Sequence, residues 1–369
     1  RGATGPVYRI VEHDVRAQKL RSPATADAGD VMTFTVVASN QVNALANAYD
    51  VMVADTLSSN VYDFSTYTPV SVTPGWDTEL IGTTGGRIFR MFATNGTALP
   101  PNTGATGVFT VALAQGVRPN QIYTNRMDVT NSTTLYGPPP GGIAERNDTA
   151  NNSVTFNVPG LALAKTFETT SETNLPPDST GSTVQIGEVL TYRLAVTLPE
   201  STITNLTVVD RISTNGLAYV YGSARLDTST SFVGNVGSFV ESPTAAPPAY
   251  SAMGQTMTFT FTNVVVTGDN YTTNNTFYLL LDYLVLNNAT NRGLAGGQTV
   301  HTNQATLTYS GNPGGAVTSA VVTTTVIEPR LALAKNVVQA NVDAGDVVDV
   351  LLTVTNSGLA TAYDVAITD

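Results

Sequence analysis

Cysteine is absent from this chain of 369 residues, and lysine nearly so, occurring only at Lys19, Lys165 and Lys335. Without cysteine there is no disulfide, so a β-rich protein exposed to an oxidising exterior needs another source of rigidity. His13 and His301 are the only histidines, too few and too far apart in sequence to argue for a metal or a catalytic triad. Charged residues make up 12% of the chain and the formal net charge is −11, which argues against a basic surface for nucleic acid or anionic lipid. No run reaches the roughly 18 apolar residues of a membrane-spanning helix, so no membrane insertion is expected within this segment. Long 3.6-residue patterns are missing as well, which counts against helices.

What remains is a globular composition, 42% apolar and rich in Thr, Val, Asn and Gly, that favours an all-β fold. Three segments repeat. GDVMTFTVVASN (29–40) aligns with GEVLTYRLAVTL (187–198) and GDVVDVLLTVTN (345–356). YDVMVAD (49–55), NLTVVD (205–210) and YDVAITD (363–369) follow in the same order, and YTNRMDV (123–129) matches HTNQATL (301–307). The lysines share this register. Ten residues separate Lys19 from Gly29 and Lys335 from Gly345, while twenty-two separate Lys165 from Gly187, where the middle copy carries an extra loop.

The spacing predicts one domain over 15–158, a second over 159–329, and the opening strands of a third over 330–369. Residues 1–14 read as an N-terminal arm or the closing strand of a preceding repeat, so the chain is expected to be a piece of a tandem array. The joints VPG (158–160) and EPR (328–330) are short and predict a stiff rod. Short segments alternating at period two, bounded by Gly, Pro, Asn and Asp, predict tandem immunoglobulin-like antiparallel β-sandwiches.

Alternation also assigns faces. Leu161, Leu163 and Lys165 share one face of their strand, as do Leu331, Leu333 and Lys335, and Val15, Ala17 and Lys19. Each lysine therefore points toward the core, where an ammonium must lose its proton or find a partner. Asp55, Asp210 and Asp369 fall on the face of their apolar neighbours, and so do Asn125 and Asn303. Each complete copy thus sends one Lys, one Asp and one Asn inward, from an early, a middle and a late strand.

This order of Lys, Gly-Asp/Glu, Asp and Thr-Asn resembles the isopeptide-forming domains of Gram-positive fimbrial shaft proteins, and the wider conserved-repeat domains of bacterial surface proteins. The resemblance implies a spontaneous amide bond from Lys19 to Asn125 and from Lys165 to Asn303, assisted by Asp55 and Asp210. Asp30 and Glu188, just after the glycines, are alternative assisting acids. The third copy has Lys335 and Asp369, and the sequence given stops before the position of its Asn. The function implied is structural: a cross-linked segment of an extracellular or cell-surface fibre, stalk or adhesin, partnered by neighbouring repeats or subunits, and not an enzyme. The alternative is an adhesin module without isopeptide bonds that binds a glycan or host protein through long inter-strand loops, 56–105 or 211–255.

LPPNTG (99–104) resembles a sorting signal but has one residue too many and sits mid-chain, so it reads as a loop. ERNDTANNS (145–153) and TGDNYTTNN (267–275) offer oxygens to calcium without the carboxylate density of a strong site. No cofactor or metal is expected, and Trp76 reads as core rather than as a glycan platform.

Overall fold

The computed structural model describes residues 5, 7–137, 147–172, 182–212, 215–227, 231–243 and 256–369. The first half contains β1 (Val15–Ser22), β2 (Val31–Asn40), β3 (Tyr49–Ser58), β4 (Tyr62–Val72), β5 (Trp76–Thr83), β6 (Gly86–Ala93), β7 (Thr103–Leu113), β8 (Ile122–Thr133) and β9 (Ala150–Asn157). They form two sheets, ordered β1-β2-β7-β4 and β5-β6-β3-β8-β9. Burial alternates at period two along β2, β3 and β7. The inward residues, among them Phe34, Val53, Phe89, Phe109 and Met127, make one core.

The second half repeats this plan. Its strands are β10 (Ala162–Thr170), β11 (Thr183–Val184), β12 (Val189–Thr197), β13 (Ser201–Ile212), β14 (Leu217–Tyr219), β15 (Arg225–Asp227), β16 (Gly234–Asn235), β17 (Phe239–Pro243), β18 (Thr256–Val266), β19 (Thr276–Val285), β20 (Val300–Tyr309), β21 (Val317–Thr318) and β22 (Val322–Val326). One sheet runs β10-β12-β19-β14 with β15 also on β19. The other runs β11-β22-β20-β13-β18-β16, with β17 on β18 and β21 on β20. A second core, running from Leu161 to Val326, fills the space between them. The architecture is therefore all-β, as sandwiches of antiparallel sheets. Each sandwich also has one short parallel contact to its last strand, Thr25 with Asn157 and β11 with β22.

Of the third copy, β23 (Leu331–Val337) and β24 (Val350–Asn356) form a hairpin, and Leu331, Leu333, Leu351 and Val354 stay exposed. The three copies share a turn: Gly29, Gly187 and Gly345 all take a left-handed φ, of 85°, 92° and 104°. Only glycine adopts this freely, which accounts for the Gly before each Asp/Glu strand opening.

Two expectations change. Residues 56–105 are not a long loop. Three strands, β4 to β6, fill them, because glycines at 75 and 85 adopt the left-handed φ of tight turns and the flanking residues pair as a β5–β6 hairpin. Segment 211–255 is likewise broken by β14 to β17, with 213–214, 228–230 and 244–255 outside the described residues. Residues 7–14 form no strand. His13 is buried instead, against Ser132 Oγ at 3.1 Å and Thr134 Oγ1 at 3.0 Å.

The two sandwiches meet through hydrogen bonds between their loops. Ala28 N donates to Glu200 O and Glu200 N to Asp27 Oδ2, both at 3.0 Å. Gln115 Nε2 donates to Val266 O at 2.7 Å, and Asn120 Nδ2 to Asn312 Oδ1 at 2.9 Å. Among the described residues no helix is long and apolar enough to cross a membrane.

Candidate functional site: a Lys-Asp-Asn cluster in each core

Lys19 lies on β1, in the first sheet, opposite Val36 of β2. Asp55 lies on β3 in the facing sheet, opposite Met127 of β8, so Asn125 stands two residues along the neighbouring strand on the same face. In the second sandwich Lys165 pairs with Leu194, Asp210 with Ala305, and Ile212 with Asn303. The geometry is the same: Lys from one sheet, Asp and Asn as a diagonal pair from two adjacent strands of the other. Diagonal partners on one sheet face are close enough for side chains to meet.

The side chains do meet. Lys19 Nζ bonds Asp55 Oδ2 and Lys165 Nζ bonds Asp210 Oδ1, with all four side chains fully buried. In the second site Asp210 Oδ2 also accepts from Asn303 Nδ2 at 3.2 Å and from the hydroxyl of Tyr283. One carboxylate thus holds the lysine on one oxygen and the asparagine on the other. In the first site Asn125 is 1% exposed, yet neither its Oδ1 nor its Nδ2 has a hydrogen-bond partner. Asp55 Oδ1, the Tyr62 hydroxyl and Asn303 Oδ1 share this condition. Buried polar atoms are nearly always paired, so five orphaned atoms at two equivalent sites are a strong anomaly.

Burial lowers both lysines from their ordinary value, and the adjacent aspartates oppose this only in part. Burial pushes the Asp55 carboxyl up to about 6 against the pull of Lys19, with Asp128 adding to the rise. Each ammonium also faces an aromatic ring, Lys19 over Phe34 at 4.9 Å and Lys165 over Tyr192 at 4.6 Å. In the first site burial thus narrows the gap between amine and carboxyl from both sides, which eases passage of a proton from Lys19 to Asp55 beside the Asn125 amide.

The remaining candidates lie apart from this chemistry. Asp30 closes its own turn, accepting from Asp27 N at 3.0 Å. Glu188 is buried at the start of β12, while the lysine of its domain is held by Asp210. Lys335 pairs with Asp369, but both side chains are about half exposed, at 52% and 53%. In the first calcium candidate Asp148 and Asn147 accept backbone N–H groups. Asp269, in the second, accepts from Tyr271 N and Asn274 Nδ2.

Phe34, Tyr62, Tyr192 and Tyr283 were not expected at the site. The first and third were findable: Phe34 and Tyr192 each sit five residues after the shared glycine. Tyr62 and Tyr283 occupy non-equivalent positions and leave no repeat signal.

No family model and no curated protein sequence matches the chain. Among solved structures, the C-terminal domain of the antigen I/II polypeptide BspA of Streptococcus agalactiae is 8% identical, with 84% of this chain and 99% of that chain covered and a TM-score of 0.31. The C-terminal domain of the antigen I/II-family protein AspA of Streptococcus pyogenes is 12% identical over the same shares, also at 0.31. The collagen-binding domain of the surface protein RspB of Erysipelothrix rhusiopathiae is 12% identical, covering 85% of this chain and 93% of that one, at 0.24. Similarity at this level is distant, and the chemistry of this chain rests on its own residues.

Proposed function

We propose that the chain is a structural segment of an extracellular surface fibre, stalk or adhesin, whose two complete domains lock themselves with Lys19–Asn125 and Lys165–Asn303 amide bonds. The observation that carries this reading is the Asp210 carboxylate, which grips Lys165 Nζ and Asn303 Nδ2 on its two oxygens in the buried core. The first domain holds the same three residue types in the same register.

The chemistry is a single event per domain. The ammonium gives a proton to the aspartate, and the neutral Nζ attacks the asparagine Cγ. The Nζ–Cγ bond forms and the Cγ–Nδ2 bond breaks. The carboxyl gives its proton to the departing nitrogen and takes one from Nζ, so one ammonia leaves and the acid ends neutral. The bonds would close spans of 106 and 138 residues, joining the two sheets of each sandwich. By the chain-entropy argument for cross-links, a loop on the order of 100 residues contributes up to about 4–5 kcal/mol. Residues inside a covalently closed loop also cannot be extended by a pulling force. Such domains suit a chain that has no disulfide and must resist tension or proteases outside a cell.

The test is the intact mass of the full chain under denaturing conditions. A deficit of two ammonias, reduced to one by Lys165→Ala, is the expected result. A mass equal to the sequence leaves Lys165 and Asp210 as a buried ion pair and removes the cross-link from the function.

A further inference from the structure

Each cluster contains a tyrosine hydroxyl, and the two tyrosines come from different places in the fold. Register makes this certain. Lys19 pairs with Val36, which pairs with Gly107 on β7; Lys165 pairs with Leu194, which pairs with Leu279 on β19. Gly107 and Leu279 are therefore equivalent. Counting along those strands, Tyr283 is equivalent to Val111, and Tyr62, which pairs with Leu113, is equivalent to Leu217, which pairs with Val285. Where one domain has its tyrosine, the other has an aliphatic residue. Descent from one ancestral repeat does not explain two phenols delivered from two strands to one kind of site.

Both are buried, Tyr283 at 0% and Tyr62 at 4% exposure. The Tyr283 hydroxyl donates to Asp210 Oδ2, the same oxygen that accepts from Asn303 Nδ2. The Tyr62 hydroxyl lies within reach of the Asn125 amide and near the Asp55 carboxylate. Asn125 Oδ1 and Asn303 Oδ1, the oxygens on which charge develops when an amine attacks Cγ, have no partner. A phenol that shares a carboxylate oxygen with the amide, in a fully buried site where the amide oxygen still lacks a donor, is placed to supply that donor as charge develops.

We propose that Tyr62 and Tyr283 are positioning residues for amide-bond formation, each standing beside the aspartate–asparagine pair of its own domain and turning its O–H onto the asparagine Oδ1 as the tetrahedral intermediate forms. The inference rests on the cross-linking function above and adds to it. In the ion-paired state the phenol of Tyr283 steadies the carboxylate. Once the carboxyl has taken the lysine proton, its demand for donors falls and the hydroxyl can rotate to the oxygen gaining charge. The phenol keeps its own proton throughout, so the balance of the reaction is unchanged.

The experiment is a time course of intact mass for the full chain as it is freshly synthesised, comparing the parent with Tyr283→Phe, Tyr62→Phe and Tyr309→Phe. Tyr309 is the control, a buried phenol of the second domain that donates to Pro119 O, away from the cluster. Each phenylalanine variant at a cluster is expected to lose the ammonia of its own domain more slowly by on the order of 100-fold or more, while the other domain keeps the parent rate. Tyr309→Phe is expected to match the parent. Loss of both ammonias at parent rate in the Tyr283→Phe and Tyr62→Phe chains overturns the role of the tyrosines alone. An equal slowing by Tyr309→Phe assigns the effect to packing and overturns it too. A parent chain of unmodified mass overturns the cross-link itself, and the tyrosine role with it.

Discussion

Asn303 Nδ2 stands 3.2 Å from Asp210 Oδ2, and Lys165 occupies the other oxygen of that carboxylate. A buried ion pair alone is a poor source of stability, since desolvation offsets most of the attraction. An ion pair that also holds an amide is the arrangement that the proposed cross-link requires. The same three residue types meet in both cores, whereas Lys335 and Asp369 pair at about half exposure.

This difference predicts unequal effects of removing each lysine. Lys165→Ala leaves Asp210 buried without its cation and prevents the cross-link, so the second domain is expected to lose on the order of 3–5 kcal/mol or more. Lys335→Ala removes a pair with both side chains about half exposed and is expected to cost no more than about 1 kcal/mol. Urea unfolding of the full chain measures both. Comparable losses would contradict the distinction between buried and exposed copies.

Much of this was readable in the chain. Period-two alternation placed Lys19, Asp55 and Asn125 inward because each sits among apolar neighbours on one strand face. The glycines at 29, 187 and 345 marked one left-handed turn three times over. Residues 56–105 were less legible. Polar, Thr- and Ser-rich edge strands such as β4 bury few of their residues, so their alternation carries little hydrophobic signal. The tyrosines were not legible because a side chain arriving from a non-equivalent strand leaves no trace in a repeat alignment. Contacts between the sandwiches, such as Gln115 to Val266, depend on how loops from two domains face each other, which local pattern does not encode.

The Asp55 carboxyl, raised to about 6 by burial, predicts the pH dependence of bond formation in the first domain. Below that value lysine and aspartate both hold protons, and the amine cannot attack. The rate of ammonia loss assigned to Lys19 and Asn125 is therefore expected to fall as pH drops through about 6. Peptide mapping of chains folded at pH values on either side checks this. A rate rising toward acid would contradict the assignment of Asp55 as the proton acceptor.

The joint between the sandwiches carries its own pH dependence. Burial lifts the Asp27 carboxyl to about 7, the Glu200 N–H opposes the rise, and the charges of Asp30 and Glu200 add to it. Burial raises Glu200 as well, and its carboxylate accepts from Asn270 N and Tyr271 N, with Asp269 beside it. A carboxyl raised above its ordinary value of 3.8 contributes stability that is fully present below that value and lost as pH rises through about 7. The full chain is thus expected to melt at a lower temperature at pH 8 than at pH 5. Asp27→Asn, an uncharged isostere, is expected to flatten that difference. Parallel curves for the two proteins would show that Asp27 does not control the joint.

Gly29 tests the joint sterically. Its φ of +85° disfavours a side chain, and a Cβ there would meet the Gly268 carbonyl oxygen at 2.7 Å and its carbon at 2.9 Å. Gly187 has the equivalent position and a φ of +92°, but nothing lies within 4 Å of its would-be Cβ. Gly187→Ala therefore measures the conformational penalty alone, about 1–2 kcal/mol. Gly29→Ala adds a clash between two backbones that cannot step aside separately, and it should break the hydrogen bond from Ala28 N to Glu200 O. The expected outcome is a greater loss of stability for Gly29→Ala, with faster proteolysis between the domains around 158–160. Equal effects of the two substitutions would mean that the sandwiches do not depend on this contact to stay docked.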